Sequence, residues 1–120
     1  MSSKKNIETI AKRIRDIPDF PKKGIIFKDI TPVLSDIKTL RSSVKEMAAP
    51  YMDHNIDVVV GIESRGFIFG APIADILGCS FVPVRKPGKL PWKTESVSYE
   101  LEYGSDKLEI HRDSIEPDLN

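Results

Sequence analysis

The sequence predicts an α/β domain built on a parallel sheet, and three observations predict it. Asp57–Ile62 (DVVVGI) holds an unbroken apolar run rich in β-branched residues, the composition of a strand buried on both faces. Phe67–Leu77 reads as a helix, followed by Gly78, which suits a left-handed cap. Ser80–Val84 is a second buried strand, and strand, helix, strand makes a parallel βαβ unit with a right-handed crossover.

Upstream, Ile7, Ile10, Ala11, Ile14 and Ile17 recur at helical spacing, which predicts a first helix ended by Pro18. Pro18–Gly24 is a proline- and glycine-marked loop, Ile25–Phe27 a short extended piece, and Pro32 closes the next loop. A second helix is predicted from Ile37 to Met52. It is capped by Ser35 or Asp36, with Ile37, Leu40, Val44, Met47, Ala48 and Tyr51 on one face and Pro50 kinking or stopping its end. Downstream, Lys86–Lys93 (KPGKLPWK) has too many prolines and glycines for regular structure. Ser96–Tyr103 alternates strictly, predicting a half-buried strand with Val97, Tyr99, Leu101 and Tyr103 on its covered face. Gly104–Asp106 reads as a turn, and Leu108 and Ile110 mark an antiparallel return.

Composition narrows the function. The 120 residues suit one small domain, and 18 basic residues balance 18 acidic ones, so no net field draws in nucleic acid or membrane. No apolar run approaches the ~20 residues of a membrane span. The single cysteine, Cys79, forbids an internal disulfide and fits a reducing compartment. His54 and His111 lack metal-ligand spacing, so no metal ligands are assigned.

The strongest chemical signal is Glu63–Ser64–Arg65–Gly66, between a strand end and a helix start. Open α/β sheets bind ligands there. A helix start offers unpaired N–H groups, Arg65 a forked cation, and Gly66 a close backbone approach for an anion. The alternative is an ordinary turn with a surface arginine. Walker-A chemistry is excluded, because Phe67–Ile68 stand where Lys and Ser/Thr should follow Gly61 and Gly66. Arg85–Lys89 (RKPGK) is either a lid over a polyanion or a solvated basic loop. A carboxylate at Glu102 or Glu100 can serve a base's ring nitrogen, and the strand pattern does not choose between them. Phe27 can stack on an aromatic base or simply fill a core.

Taken together, IRDIPDFPKKGIIFKDITPVL, VVVGIESRGFIFGAPIA, FVPVRKPGKLP and SYELEYGSDKLEIH resemble the adenine phosphoribosyltransferases over nearly the whole chain. The resemblance implies a type I phosphoribosyltransferase fold with residues 1–36 as N-terminal helix and base-binding hood and residues 37–120 as part of the α/β core. It implies transfer from 5-phosphoribosyl 1-pyrophosphate to adenine, giving AMP and pyrophosphate, with magnesium. The enzyme would be a cytoplasmic homodimer. The implied site places the backbone at Ile26 and the ring of Phe27 on adenine, and Glu63, Ser64, Arg65 and Lys89 toward pyrophosphate. The loop from Arg85 to Lys93 would close over them, with Glu102 the proton-handling acid and Tyr103 a lid or ribose neighbour.

Nothing here matches the family's later loop, two adjacent acids and a Thr-Gly-Gly-Thr-like turn, that binds the ribose hydroxyls and 5-phosphate. The expectation is therefore an N-terminal portion lacking part of the donor site and core, and inactive alone. The rival readings are a non-catalytic remnant that binds adenine or AMP or pairs with a full-length subunit, and a related enzyme acting on another purine.

Overall fold

The computed structural model describes residues 3–101 and 104–120. These fall into two compact units, Met1–Pro50 and Tyr51–Asn120, so helix Ile37–Ala48 groups with the N-terminal elements.

The first unit opens with α1 (Ser3–Arg13). The helix ends earlier than the isoleucine spacing predicts. Arg15–Pro18 is instead strand β1, paired antiparallel with β2 (Ile26–Asp29) in the register Arg15↔Asp29 to Pro18↔Ile26. The residue before a proline is pushed toward extended geometry, and the partner strand then supplies backbone bonds that a last helical turn would leave unmade. Ile17 thus lies opposite Phe27. Between the strands, Gly24 N–H donates to Asp19 Oδ1 (2.9 Å) and Phe20 N–H to the Ile25 carbonyl (3.1 Å).

Pro32 does not close a loop but sits in the first turn of the short helix α2 (Thr31–Leu34), where a missing N–H costs nothing. Asp29 joins hairpin to helix. Its Oδ1 accepts from Thr31 N (3.0 Å) and Thr31 Oγ1 (2.8 Å), and its Oδ2 pairs with Arg15 Nη2 (2.8 Å). The Thr31 N–H, then Arg15, hold its carboxyl down at about 2. Helix α3 (Ile37–Ala48) is capped by Asp36, which accepts from Thr39 N (3.0 Å), and Ala49–Tyr51 continues as one 3₁₀ turn. Val33, Val44 and Ala48 are buried with Thr39 and Ser43, whose hydroxyls donate to the carbonyls of Val33 (2.9 Å) and Thr39 (2.7 Å).

The second unit holds the predicted βαβ segment. β3 (Val58–Ile62) and β4 (Ser80–Val84) pair in parallel from Val58↔Ser80 to Ile62↔Val84, with α4 (Arg65–Leu77) between them in sequence. Gly78 caps α4 at φ 71°. The helix lies close on the strands because three glycines permit it. A Cβ on Gly61 would stand 2.7 Å from the Gly66 carbonyl oxygen, one on Gly66 3.2 Å from the Gly61 carbonyl carbon, and one on Gly70 2.4 Å from Phe81 Cε1. Phe67 meets Phe81 edge-on at 6.0 Å. Among the described residues β3 has a strand partner on one side only, and Val60 and Ile62 remain 46% and 49% exposed.

β5 (Thr94–Leu101) and β6 (Gly104–His111) form the antiparallel hairpin, in register from Thr94↔His111 to Leu101↔Gly104. Two expectations are corrected here. Gly104–Asp106 belongs to β6, because Gly104 at φ 105° pairs directly with Leu101. The alternating face of β5 is half-buried only at Tyr99, while Val97 and Leu101 are 63% and 51% exposed. A bridge between Arg85 and Glu109 ties the hairpin to the end of β4 (Arg85 N to Glu109 O, 2.9 Å; Glu109 N to Arg85 O, 2.7 Å). No described helix is long and apolar enough to cross a membrane.

Candidate functional site

The site grows from the end of β3. The chain leaves Ile62, turns through Glu63 and Ser64 across a cis peptide bond, and enters α4 at Arg65. Ser64 occupies the N-cap position without a side-chain bond to the helix. Phe67 N–H donates to the Ser64 carbonyl (3.1 Å), which leaves the N–H groups of Arg65 and Gly66 without an intrahelical acceptor. The Arg65 side chain is exposed and makes no hydrogen bond or ion pair with another described residue. An open concavity of about 670 Å³ lies here, lined by Gly61, Glu63, Ser64, Arg65, Gly66 and Phe69 among others. A guanidinium and a helix start at the edge of an open hollow suit a phosphate group. Gly66 has a second reason to be glycine, its contact with Gly61.

Glu63 reaches away from this helix start to the loop after β4. Its Oε1 accepts from Lys86 N (2.7 Å) and stands 3.4 Å from the buried Arg85 Nε, an ion pair without hydrogen-bond alignment. Its Oε2 accepts from Lys89 Nζ (3.0 Å). The Lys86 N–H and then Lys89 hold the Glu63 carboxyl below its ordinary value of 4.5. Lys86 Nζ pairs with Asp106 Oδ2, which also accepts from Tyr99 OH (3.1 Å). The hydrogen bond from Lys86, ahead of any other contact, holds the Asp106 carboxyl below its ordinary value, and the same bond pushes the Lys86 ammonium up. Glu109, which no sequence pattern singled out, accepts from Gly88 N (2.9 Å) and Thr94 Oγ1 (3.1 Å). The structure thus gathers Arg85, Lys86 and Lys89 against Glu63, two residues from Arg65.

Ile26 and Phe27 lie on β2 in the first unit. Ile26 is 61% exposed, and Phe27 is half-buried with Phe20 edge-on to it at 5.2 Å. Glu102 and Tyr103 lie outside the described residues. Glu100 is exposed on β5 opposite Ser105. No group of three or more His, Cys, Asp or Glu among the described residues is placed to hold a metal.

The loop carries its own reporter in Trp92, the only tryptophan. A carboxylate whose folded value lies below its ordinary one contributes stability at higher pH and loses it as pH falls through the folded value. Glu63 and Asp106 are both of this kind, so the loop should hold from neutral pH down to 4.5 and loosen as pH falls further. Steady-state anisotropy of Trp92 is expected to drop in that acid range, and Glu63→Gln to start from the lower value at neutral pH. A flat profile in both proteins would contradict the clamp.

A βαβ segment, a helix start bearing Arg65 and a basic loop pinned to Glu63 define an α/β protein whose strand end can receive an anion. The phosphoribosyl transferase domain family matches residues 31–115, and the chain belongs to that family. The relatives it matches are named adenine phosphoribosyltransferases. The one from Rhodopirellula baltica is 60% identical over 104 residues, covering 87% of this chain and 50% of that protein. The crystal structure of the Rhodothermus marinus enzyme superposes with a TM-score of 0.89 at 51% identity, covering 97% of this chain and 66% of that one. The Saccharomyces cerevisiae enzyme, solved with an imino-altritol bisphosphate and adenine, gives 0.86 at 36% identity, covering 93% and 66%. The fold is therefore of the type I phosphoribosyltransferase kind, and the chain spans from half to two thirds of these proteins' lengths.

Proposed function

We propose that this chain carries the adenine-binding hood, residues 1–36, and the diphosphate-binding part of an adenine phosphoribosyltransferase that converts adenine and 5-phosphoribosyl 1-pyrophosphate into AMP and pyrophosphate. The observation that supports it most is the convergence of Arg85 and Lys89 on Glu63, beside Arg65 at the start of α4, whose side chain has no partner among the described residues. In the reaction adenine N9 bonds to the anomeric carbon, the bond from that carbon to the diphosphate oxygen breaks, and the N9 proton leaves. Positive charge grows on the ribose and negative charge on the diphosphate. Preorganised cations stabilise such a leaving group. Arg65 and the α4 amides would meet its phosphates, with Ser64 supplying a hydroxyl. Lys89 and Arg85 would close from the loop, with Glu63 as the counter-charge that keeps them aimed. Phe27 would stack on adenine, the backbone at Ile26 would bond its edge, and Glu102 would take the proton, with Tyr103 near the ribose.

Magnesium, implied by the same resemblance, would come bound with the diphosphate donor and neutralise part of its charge. No residue is assigned to it. A cytoplasmic homodimer is carried over from the same resemblance.

Arg65→Ala tests the anion site. A hydrogen bond to a charged group is worth about 1.5–3 kcal/mol, so inorganic diphosphate should bind this chain roughly tenfold or more weakly by calorimetry. Extended through its relatives' C-terminal segment, the protein should lose donor kcat/KM by a similar factor. Unchanged affinity and kinetics would remove Arg65 from the site.

A further inference from the structure

We infer that Glu109 is a positioning residue that fixes the shape of the Arg85–Thr94 loop and thereby aims Arg85 and Lys89; this deepens the diphosphate-site reading and rests on it. The inference comes from where Glu109 acts. Its backbone exchanges two hydrogen bonds with Arg85, at the loop's entry (2.9 and 2.7 Å). Its Oε1 accepts from the N–H of Gly88, at the loop's tip (2.9 Å). Its Oε2 accepts from Thr94 Oγ1, at the loop's exit (3.1 Å). One residue therefore holds the beginning, middle and end of a segment that has no regular structure of its own from residue 86 to 93.

Gly88 stands at φ 83°, a backbone region closed to most side chains, and its N–H would otherwise lack an acceptor from the loop itself. By fixing that turn, Glu109 sets the course of the next residue, Lys89, whose ammonium meets Glu63 at 3.0 Å. The two carboxylates divide the task. Glu63 holds the cations of Arg85 and Lys89 and the Lys86 N–H, while Glu109 holds the Gly88 N–H and the Thr94 hydroxyl and pairs with no cation among the described residues. A loop that must open and close over a polyanion needs a fixed base on which to swing, and Glu109 on the paired strand β6 provides it.

The test compares Glu109→Ala, which deletes both side-chain acceptors, with Glu109→Gln, which keeps an acceptor for Gly88 and can satisfy the Thr94 hydroxyl. Tryptic cleavage after Lys89, followed by mass spectrometry, reads the loop. Cleavage after Lys107, within β6, reads loss of the whole hairpin. Inorganic diphosphate affinity by calorimetry reads the aim of the cations. Two lost hydrogen bonds should speed cleavage after Lys89 about tenfold in Glu109→Ala, with cleavage after Lys107 unchanged and diphosphate affinity about tenfold weaker. Glu109→Gln should stay within about twofold of the parent on all three readouts. Should Glu109→Ala also speed cleavage after Lys107, Thr94→Val replaces it, removing one anchor while keeping a good strand residue, with an intermediate gain at Lys89 expected. Unchanged cleavage after Lys89 overturns the proposal, and so does faster cleavage with unaltered diphosphate affinity. If the parent chain itself binds no diphosphate, the anion-site reading fails, and Lys89 cleavage alone decides the clamp.

Discussion

Gly61→Ala should destabilise the second unit by about 3 kcal/mol, the upper end of ordinary overpacking. The added Cβ would lie 2.7 Å from the Gly66 carbonyl oxygen and 2.8 Å from two atoms of the Phe81 ring. The ring can turn aside, but the carbonyl belongs to the first turn of α4 and moves only if the helix lifts off β3. Gly70→Ala is the informative comparison. Its Cβ would come to 2.4 Å from Phe81, yet the nearest atoms are all in that one ring. Alanine also gains up to about 1 kcal/mol over glycine within a helix. Phe81→Leu should therefore rescue a large part of the Gly70→Ala loss and little of the Gly61→Ala loss. Urea unfolding of the single and double variants measures both couplings. Equal rescue at the two positions would show that the Gly66 carbonyl does not limit the approach.

The second large effect belongs to the proposed acid. Glu102→Gln, in the protein extended through its relatives' C-terminal segment, should lower kcat about 10²-fold or more with a smaller change in KM, as general acid–base help requires. Glu100→Gln is the internal control, exposed on the same strand and paired opposite Ser105. If Glu100→Gln is the crippled variant, the acid stands one strand period earlier. Normal turnover in both would assign the proton to water or to another group.

What could be read from the sequence was whatever is encoded locally. The β3–α4–β4 segment announces itself by composition, and both Asp36 and Gly78 act as the caps their positions suggested. The helix start bearing Arg65 followed from the same pattern. The end of α1 did not, because Ile14 and Ile17 keep helical spacing although Arg15–Pro18 pairs with residues 8 to 14 positions away in sequence. Nor did the role of Glu63, whose partners at Lys86 and Lys89 lie 23 and 26 residues on. Glu109 was hidden for another reason. Within β6 its charge looks like any solvated strand position, and only the folded loop reveals what the carboxylate accepts. The resemblance supplied the choice of Glu102 over Glu100, which alternation cannot make.

The exposed side of β3 has a consequence for how this chain behaves in company. Val60 and Ile62 sit on a strand whose second edge has no partner strand among the described residues, so a row of amides and an oily stripe are offered together. Such an edge invites another strand to dock, whether from a second molecule or from a chaperone's client cleft. Solutions of these 120 residues should therefore grow cloudier with concentration, and the β3 edge is where a single lysine, at Val60, would act as a gatekeeper against self-association.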